Sequence, residues 1–166
     1  VRYAGNVVSW EAVFGIEKYV VQVNDGKEIE VADGTSCEIE LTKAGENIIR
    51  VCSVDAEGER SEWVTTTVTG YEISFVTDTE TGVDSVYRAT GDKLNLPTEL
   101  ERTGYDFTGW YSEPNGGGTA YGDGAFEGEQ GMTLYANWTG KFYTVSFNIG
   151  TYGEEDVESV QVQYGQ

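Results

Sequence analysis

Apolar and polar residues alternate with a period of two along most of this chain, and turn-forming clusters interrupt the alternation at short intervals. In residues 1–70, Val8 and Trp10 share a face, as do Tyr19, Val21 and Val23. Ile29 goes with Val31, Cys37 with Ile39 and Leu41, and Ile49 with Val51. A last strand is expected over residues 63–68. Asn24-Asp25-Gly26, Ala32-Asp33-Gly34, Ala44-Gly45 and Glu57-Gly58 supply the turns between them. Short strands with regularly placed turns predict a β-sandwich here.

The next stretch, residues 71–140, carries a different pattern. Tyr71–Val76 alternates as a strand, and Val83–Thr90 predicts a second, closed by Gly91-Asp92. Pro97-Thr98-Glu99-Leu100-Glu101-Arg102 predicts one short helix, because proline fits a first turn and the acidic residues complement the helix N-terminus. Gly104 ends it. Tyr105–Tyr111 reads as a third strand, Pro114–Gly118 as a glycine-rich loop and Met132–Trp138 as the final strand.

Residues 141–166 begin to repeat this. Tyr143-Thr144-Val145-Ser146-Phe147 echoes Tyr71–Phe75 at a spacing of 72, and Glu158-Ser159-Val160 echoes Asp84-Ser85-Val86 at a spacing of 74. Gly165 echoes Gly91. A second repeat therefore starts near residue 142 and reaches only its first two strands. An isolated hairpin is marginal in water, so these residues are expected to lean on the first repeat, to pair with another molecule, or to be poorly ordered.

Two family resemblances rest on these segments. Val8-Ser9-Trp10-Glu11-Ala12-Val13, Gly15-Ile16 and Tyr19–Asn24 are similar to strands B and C of a fibronectin type III domain. Val51–Asp55, Gly58, Ser61 and Trp63 are similar to its last two strands. Trp10 would be its central core tryptophan. The sequence departs from that family in carrying Asn47 where a tyrosine is usual, and in leaving only Val1–Ala4 for the first strand. No Arg-Gly-Asp tripeptide occurs. Arg102-Thr103-Gly104-Tyr105-Asp106-Phe107-Thr108-Gly109-Trp110-Tyr111, followed by Thr133-Leu134-Tyr135-Ala136-Asn137-Trp138, resembles the Listeria–Bacteroides repeat of bacterial surface proteins, also called the internalin B repeat. That resemblance implies a small β-grasp module, ubiquitin-like, with a short helix crossing its sheet. The expected fold is mainly β: a fibronectin III-like sandwich over 1–70, a β-grasp repeat over 71–140, and an incomplete repeat over 141–166. No linker rich in proline or serine separates them, so the joints are short and interdomain motion is restricted.

Composition narrows the chemistry. Among 166 residues there are 29 acidic and 10 basic side chains, a net charge of −19. Such a surface repels phosphate backbones and anionic headgroups, so neither nucleic acid nor an acidic membrane is an expected partner. No apolar run is long enough to span a bilayer. The chain begins at Val1 without a leader and reads as a piece of a longer polypeptide. Histidine is absent, which removes the commonest general base and any Ser-His or Cys-His pair. Alternation puts Cys37 on the core face and Cys52 on the opposite, solvent face, which argues against a disulfide. Asp55-Ala56-Glu57-Gly58-Glu59 is the densest acidic cluster, but it lacks calcium-loop spacing and reads as a hairpin tip.

Gly116-Gly117-Gly118 lacks the lysine and spacing of a phosphate loop. Trp110, Tyr111, Tyr121 and Trp138, with Tyr152 and Tyr164, are read as core or incidental aromatics rather than a sugar platform. No catalytic, cofactor or metal residues are assigned, and no enzyme activity is expected. With its family resemblances, the chain is expected on a bacterial cell surface or cell wall as a spacer that displays other domains. The alternative is an adhesive module for host protein, mucin or polysaccharide. Self-association through the incomplete repeat is a further expectation.

Overall fold

A computed structural model describes residues 1–147 and 158–165. Its architecture is mainly β, as the alternation predicts. The strands are β1 (Arg2–Ala4), β2 (Val7–Ser9), β3 (Lys18–Val23), β4 (Ile29–Val31), β5 (Ser36–Glu38) and β6 (Gly45–Val54). After them come β7 (Val64–Val76), β8 (Val86–Arg88), β9 (Tyr105–Glu113), β10 (Gly117–Tyr121), β11 (Met132–Gly140), β12 (Phe142–Val145) and β13 (Val160–Gln163).

Among the described residues they form three sheets. β1, β2 and β5 form a small antiparallel sheet, and β12 and β13 form a hairpin. The large sheet runs in the order β10-β9-β11-β7-β6-β3-β4, with β8 also paired to β7. Two apolar clusters account for most of the burial. One gathers Val8 from the small sheet, Tyr19, Val21 and Val23 from β3, and Ile49 and Val51 from β6. The other gathers Ile73, Leu94, Leu96, Trp110, Phe126 and Leu134. Trp10 is only partly buried and packs at the margin of the first cluster, so it is not the centre of that core.

β7 joins the two clusters. Where alternation predicts two strands on either side of residues 69–70, the chain makes one strand of 13 residues. Val64–Gly70 pairs antiparallel with β6. Beyond Gly70, Tyr71–Ile73 pairs antiparallel with β8, and Ile73–Val76 runs parallel to Met132–Tyr135 of β11. Gly70 sits buried at the changeover. A Cβ there would lie 2.6 Å from the Lys43 carbonyl oxygen and 2.9 Å from Nδ2 of Asn47, so this place excludes every side chain.

Asn47 is itself fully buried, and all four of its hydrogen-bonding positions are used. Its Oδ1 accepts from Asn24 Nδ2 and from the Thr42 amide, at 3.0 and 3.2 Å. Its Nδ2 donates to the carbonyls of Lys43 and Gly45, at 2.9 and 3.0 Å. The residue that breaks the fibronectin-type pattern thus ties the 42–47 corner to the turn after β3.

Two expectations are corrected. Residues 97–102 form no helix, and the single helical turn among the described residues is a 3-10 turn at Pro114–Gly116. A six-residue helix has almost no stability of its own. Here the extended path is worth more, because it inserts Leu94, Leu96 and Leu100 into the second cluster. It also offers the Pro97 carbonyl to Nε1 of Trp110 at 2.7 Å. Cys52 does not face solvent: it is buried with Val20 and Val54 under Trp63, on the far face of β3 and β6. The Arg50 guanidinium lies 4.8 Å from the centre of the Trp63 ring and extends the cover. Both cysteines are free.

The hairpin β12–β13 leans on the first repeat. Tyr164 meets Tyr105 edge-on at 5.3 Å, and Lys141 donates its amide to the Gly104 carbonyl at 2.8 Å. Gly70→Ala should lower the unfolding free energy by about 1–3 kcal/mol, the usual cost of forcing a methyl into a filled site. Thermal unfolding measured against Gly82→Ala, where a Cβ meets nothing within 4 Å, separates that cost from a general glycine effect.

Candidate functional site

The joint between the two clusters carries a buried polar network. Asp92, in the turn after β8, is fully buried. Its Oδ2 accepts from the Tyr3 hydroxyl at 2.5 Å and from the Ala89 amide at 2.7 Å. Its Oδ1 accepts from the Asn6 amide at 3.0 Å. The exchange is reciprocal, since Oδ1 of Asn6 accepts from the Lys93 amide at 2.6 Å. A few residues away the buried Arg88 guanidinium pairs with Glu40 at 2.5 Å and donates to the Leu94 carbonyl at 3.0 Å. Ala89 packs directly into the first cluster, and Leu41 makes a β-bridge with Tyr87. Each charge at this joint therefore has a partner, which is the condition for burying one at tolerable cost.

Tyr3 responds to this setting. Burial, reinforced by its hydrogen bond to Asp92 and by that carboxylate's charge, holds its phenol well above the ordinary value of 10.0. In the sequence Gly91-Asp92 reads only as the close of a strand. Nothing in the pattern links Asp92 to Tyr3, which lies 89 positions away.

A groove of about 480 Å³ opens beside β2, lined by Trp10, Tyr19, Arg2, Glu11, Val51 and Val64 among others. Trp10 meets Tyr19 edge-on at 5.2 Å. The Tyr19 hydroxyl accepts from the Val13 amide at 2.7 Å and so shapes the loop that forms one wall. Nε1 of Trp10 is buried and has no hydrogen-bond partner, alone in this among the described residues. Val13 and Val64 stand exposed at the groove, and the neighbouring Phe14 is 104% exposed. An apolar wall and two charged side chains make this a surface able to hold a ligand of mixed polarity.

The residues weighed for chemistry are scattered or already committed. Oδ1 of Asp55 accepts from the amides of Glu57 and Glu59, at 3.1 and 2.8 Å, so the acidic cluster spends its first carboxylate on its own turn. Among the described residues no three of His, Cys, Asp or Glu are grouped to hold a metal ion, and no helix is long and apolar enough to cross a membrane. Burial pushes both thiols up, which favours the protonated form. Trp110 is buried between Phe75 and Phe107, with ring centres at 4.7 and 5.5 Å. Trp138 donates its Nε1 to the Thr77 carbonyl at 2.9 Å. Gly117 and Gly118 open β10, hydrogen-bonded to β9, and are not a free loop. Tyr152 lies outside the described residues.

Comparison with known proteins fits the second cluster and its strands. Residues 71–137 match the Listeria-Bacteroides repeat domain. Two proteins of Evansella cellulosilytica are similar to this chain. One, whose name describes a Gly-rich membrane protein, is 39% identical over 77 residues, covering 44% of this chain and 9% of its own length. The other, also named as a membrane protein, is 35% identical over 98 residues, covering 57% of this chain and 14% of its own. The chain therefore spans a small fraction of the proteins it matches.

Two consequences are measurable. Neutral Tyr3 stabilises the fold, and that contribution is fully present below pH 10, where unfolded tyrosine begins to ionise. It declines as pH rises further. The stability gap between the natural chain and Tyr3→Phe should accordingly narrow above pH about 10, by at most about 1.4 kcal/mol per pH unit for one linked proton; urea titrations at a series of pH values read it. Trp110→Ala should cost about 3–5 kcal/mol by calorimetry, as for other buried aromatics.

Proposed function

We propose that this chain is a non-catalytic, extracellular module pair of a bacterial surface protein, acting as a semi-rigid spacer that displays other domains. The observation that carries this reading is the continuity of β7 through both clusters, braced by the buried Asp92 and by the Arg88–Glu40 pair. A strand that belongs to two cores cannot bend between them without breaking hydrogen bonds in both. The joint is then stiff by construction, which is what a spacer needs.

In this reading residues 1–70 are a fibronectin type III-like sandwich. The three-stranded sheet β1-β2-β5 and the path β4-β3-β6-β7 support it. Residues 71–140 are a β-grasp repeat, supported by β11 lying parallel to β7 and antiparallel to β9. Neither assignment needs the helix expected over 97–102. A surface location draws support from the family match and from relatives whose names describe membrane proteins. The net charge of −19 disfavours nucleic acid and insertion into acidic membranes.

The groove beside Trp10 favours a second reading, an adhesive module for host protein, mucin or polysaccharide. The two readings part experimentally. For a spacer, small-angle scattering should give a radius of gyration clearly above roughly 15 Å, the value for a compact chain of this length. A screen against mucins, matrix proteins and bacterial polysaccharides should find no saturable binding. Saturable binding that Trp10→Ala removes, with folding intact, would move the assignment to the adhesive module. A radius no larger than the compact value would sink the spacer.

A further inference from the structure

The two sides of the joint lend each other unequal things. Two residues of the repeat complete the first cluster: Ala89 is buried in it and Tyr87 packs against it. Among the described residues the second cluster begins at Tyr71 and takes in no side chain from residues 1–70. What residues 1–70 bring to the joint is polar. They supply the Tyr3 hydroxyl, the Asn6 amide and carboxamide, and the Glu40 carboxylate, with one main-chain bridge from Leu41 to Tyr87.

The turn that receives these groups is shaped inside the repeat. The Gly91 amide donates to the Phe126 carbonyl at 2.8 Å, the Phe126 amide to the Asp92 carbonyl at 2.7 Å, and the Leu94 amide to the Gly124 carbonyl at 3.0 Å. The Ala89 amide holds the Asp92 carboxylate from within the same turn. Facing it is the Gly5-Asn6 turn between β1 and β2, with φ of 59° and 69°, the left-handed pair that a two-residue hairpin requires. That turn delivers the Asn6 amide to Asp92.

Separation therefore costs the two sides differently. Asp92 and Arg88, freed of their partners, return to water, and rehydration offsets the lost bonds. The first cluster loses apolar cover at Ala89 and Tyr87, which water does not replace. A core built from about 70 residues has little stability to spare. β7 does not set the direction, because Val64–Gly70 pairs with β6 and Tyr71–Val76 pairs with β8 and β11.

We propose that Tyr87–Asp92 is a one-way latch. Residues 1–70 hold their fold only while the repeat presents this turn, and the repeat keeps its fold when residues 1–70 lose theirs. Opening of the repeat is passed to the first cluster through Tyr87, Ala89 and Asp92. Opening of the first cluster stops there. The inference concerns the joint itself, so it holds for a spacer and for an adhesive module alike.

The test uses the full chain, isotope-labelled and titrated with urea. Amides of β3 and β6 report the first cluster, and those of β9 and β11 the second. The first set should be lost at lower urea than the second, or together with it. Ile49→Asp puts a charge into the first cluster and should collapse the β3 and β6 resonances while β9 and β11 stay dispersed. Trp110→Asp should collapse both sets. Tyr3→Phe combined with Asn6→Gly weakens the latch from outside the repeat and keeps the turn. It should move the first transition down by about 1 M urea and leave the second in place. Native β3 and β6 resonances in Trp110→Asp overturn the proposal, since residues 1–70 would then stand alone. Collapse of β9 and β11 in Ile49→Asp, or their loss before β3 and β6 in the natural chain, overturns the direction. A first transition unmoved by the double variant removes Asp92 from the latch.

Discussion

Everything in this chain depends on one strand being able to serve two cores. β7 leaves the ladder with β6 at Gly70, enters the pairing with β8 one residue later and that with β11 at Ile73. Backbone hydrogen bonds are obligatory once buried, so the changeover leaves no slack residue for a hinge. Gly70 permits it because the Lys43 carbonyl and the Asn47 amide occupy the space of its missing side chain. Asn47 in turn holds the corner that presents that carbonyl. Glycine here answers a close approach rather than a backbone angle.

Around that strand the polar joint supplies registry. Buried charged groups add little net stability over an apolar replacement, but they penalise any arrangement that separates the partners. Asp92 meets three donors, two of them from the β1–β2 hairpin, and Arg88 meets Glu40 from the end of the small sheet. Rotation of one cluster against the other would strand all of these groups together. A continuous strand and a polar lock thus constrain different motions, bending and twisting, at the same place.

The second joint follows a similar plan in a weaker form. β11 ends at Gly140 and β12 starts at Phe142, with Lys141 alone between them. Gly140 is also buried, and a Cβ on it would run into the Tyr164 carbonyl oxygen. What differs among the described residues is the cover: the second cluster closes over β7 and β8, while Tyr143, Val145, Val160 and Val162 stand exposed.

Alternation by itself determined the strand-rich class, nearly every strand, the internal repeat and the core role of Trp110, because a period of two and a motif of fixed spacing are local properties. It also separated the faces of Cys37 and Cys52. Tertiary structure alone decided the rest. Cys52 is buried because Trp63, eleven residues on, roofs the outer face together with the nearby Arg50. Pro97–Arg102 forms no helix because packing Leu100 on the second cluster and bonding the Pro97 carbonyl to Trp110 reward it more than a six-residue helix would. The groove beside Trp10 and the Asp92 lock were invisible, since each is assembled from strands far apart in the chain. Local pattern tells a residue which way to face, and only the packed fold tells it what it will meet there.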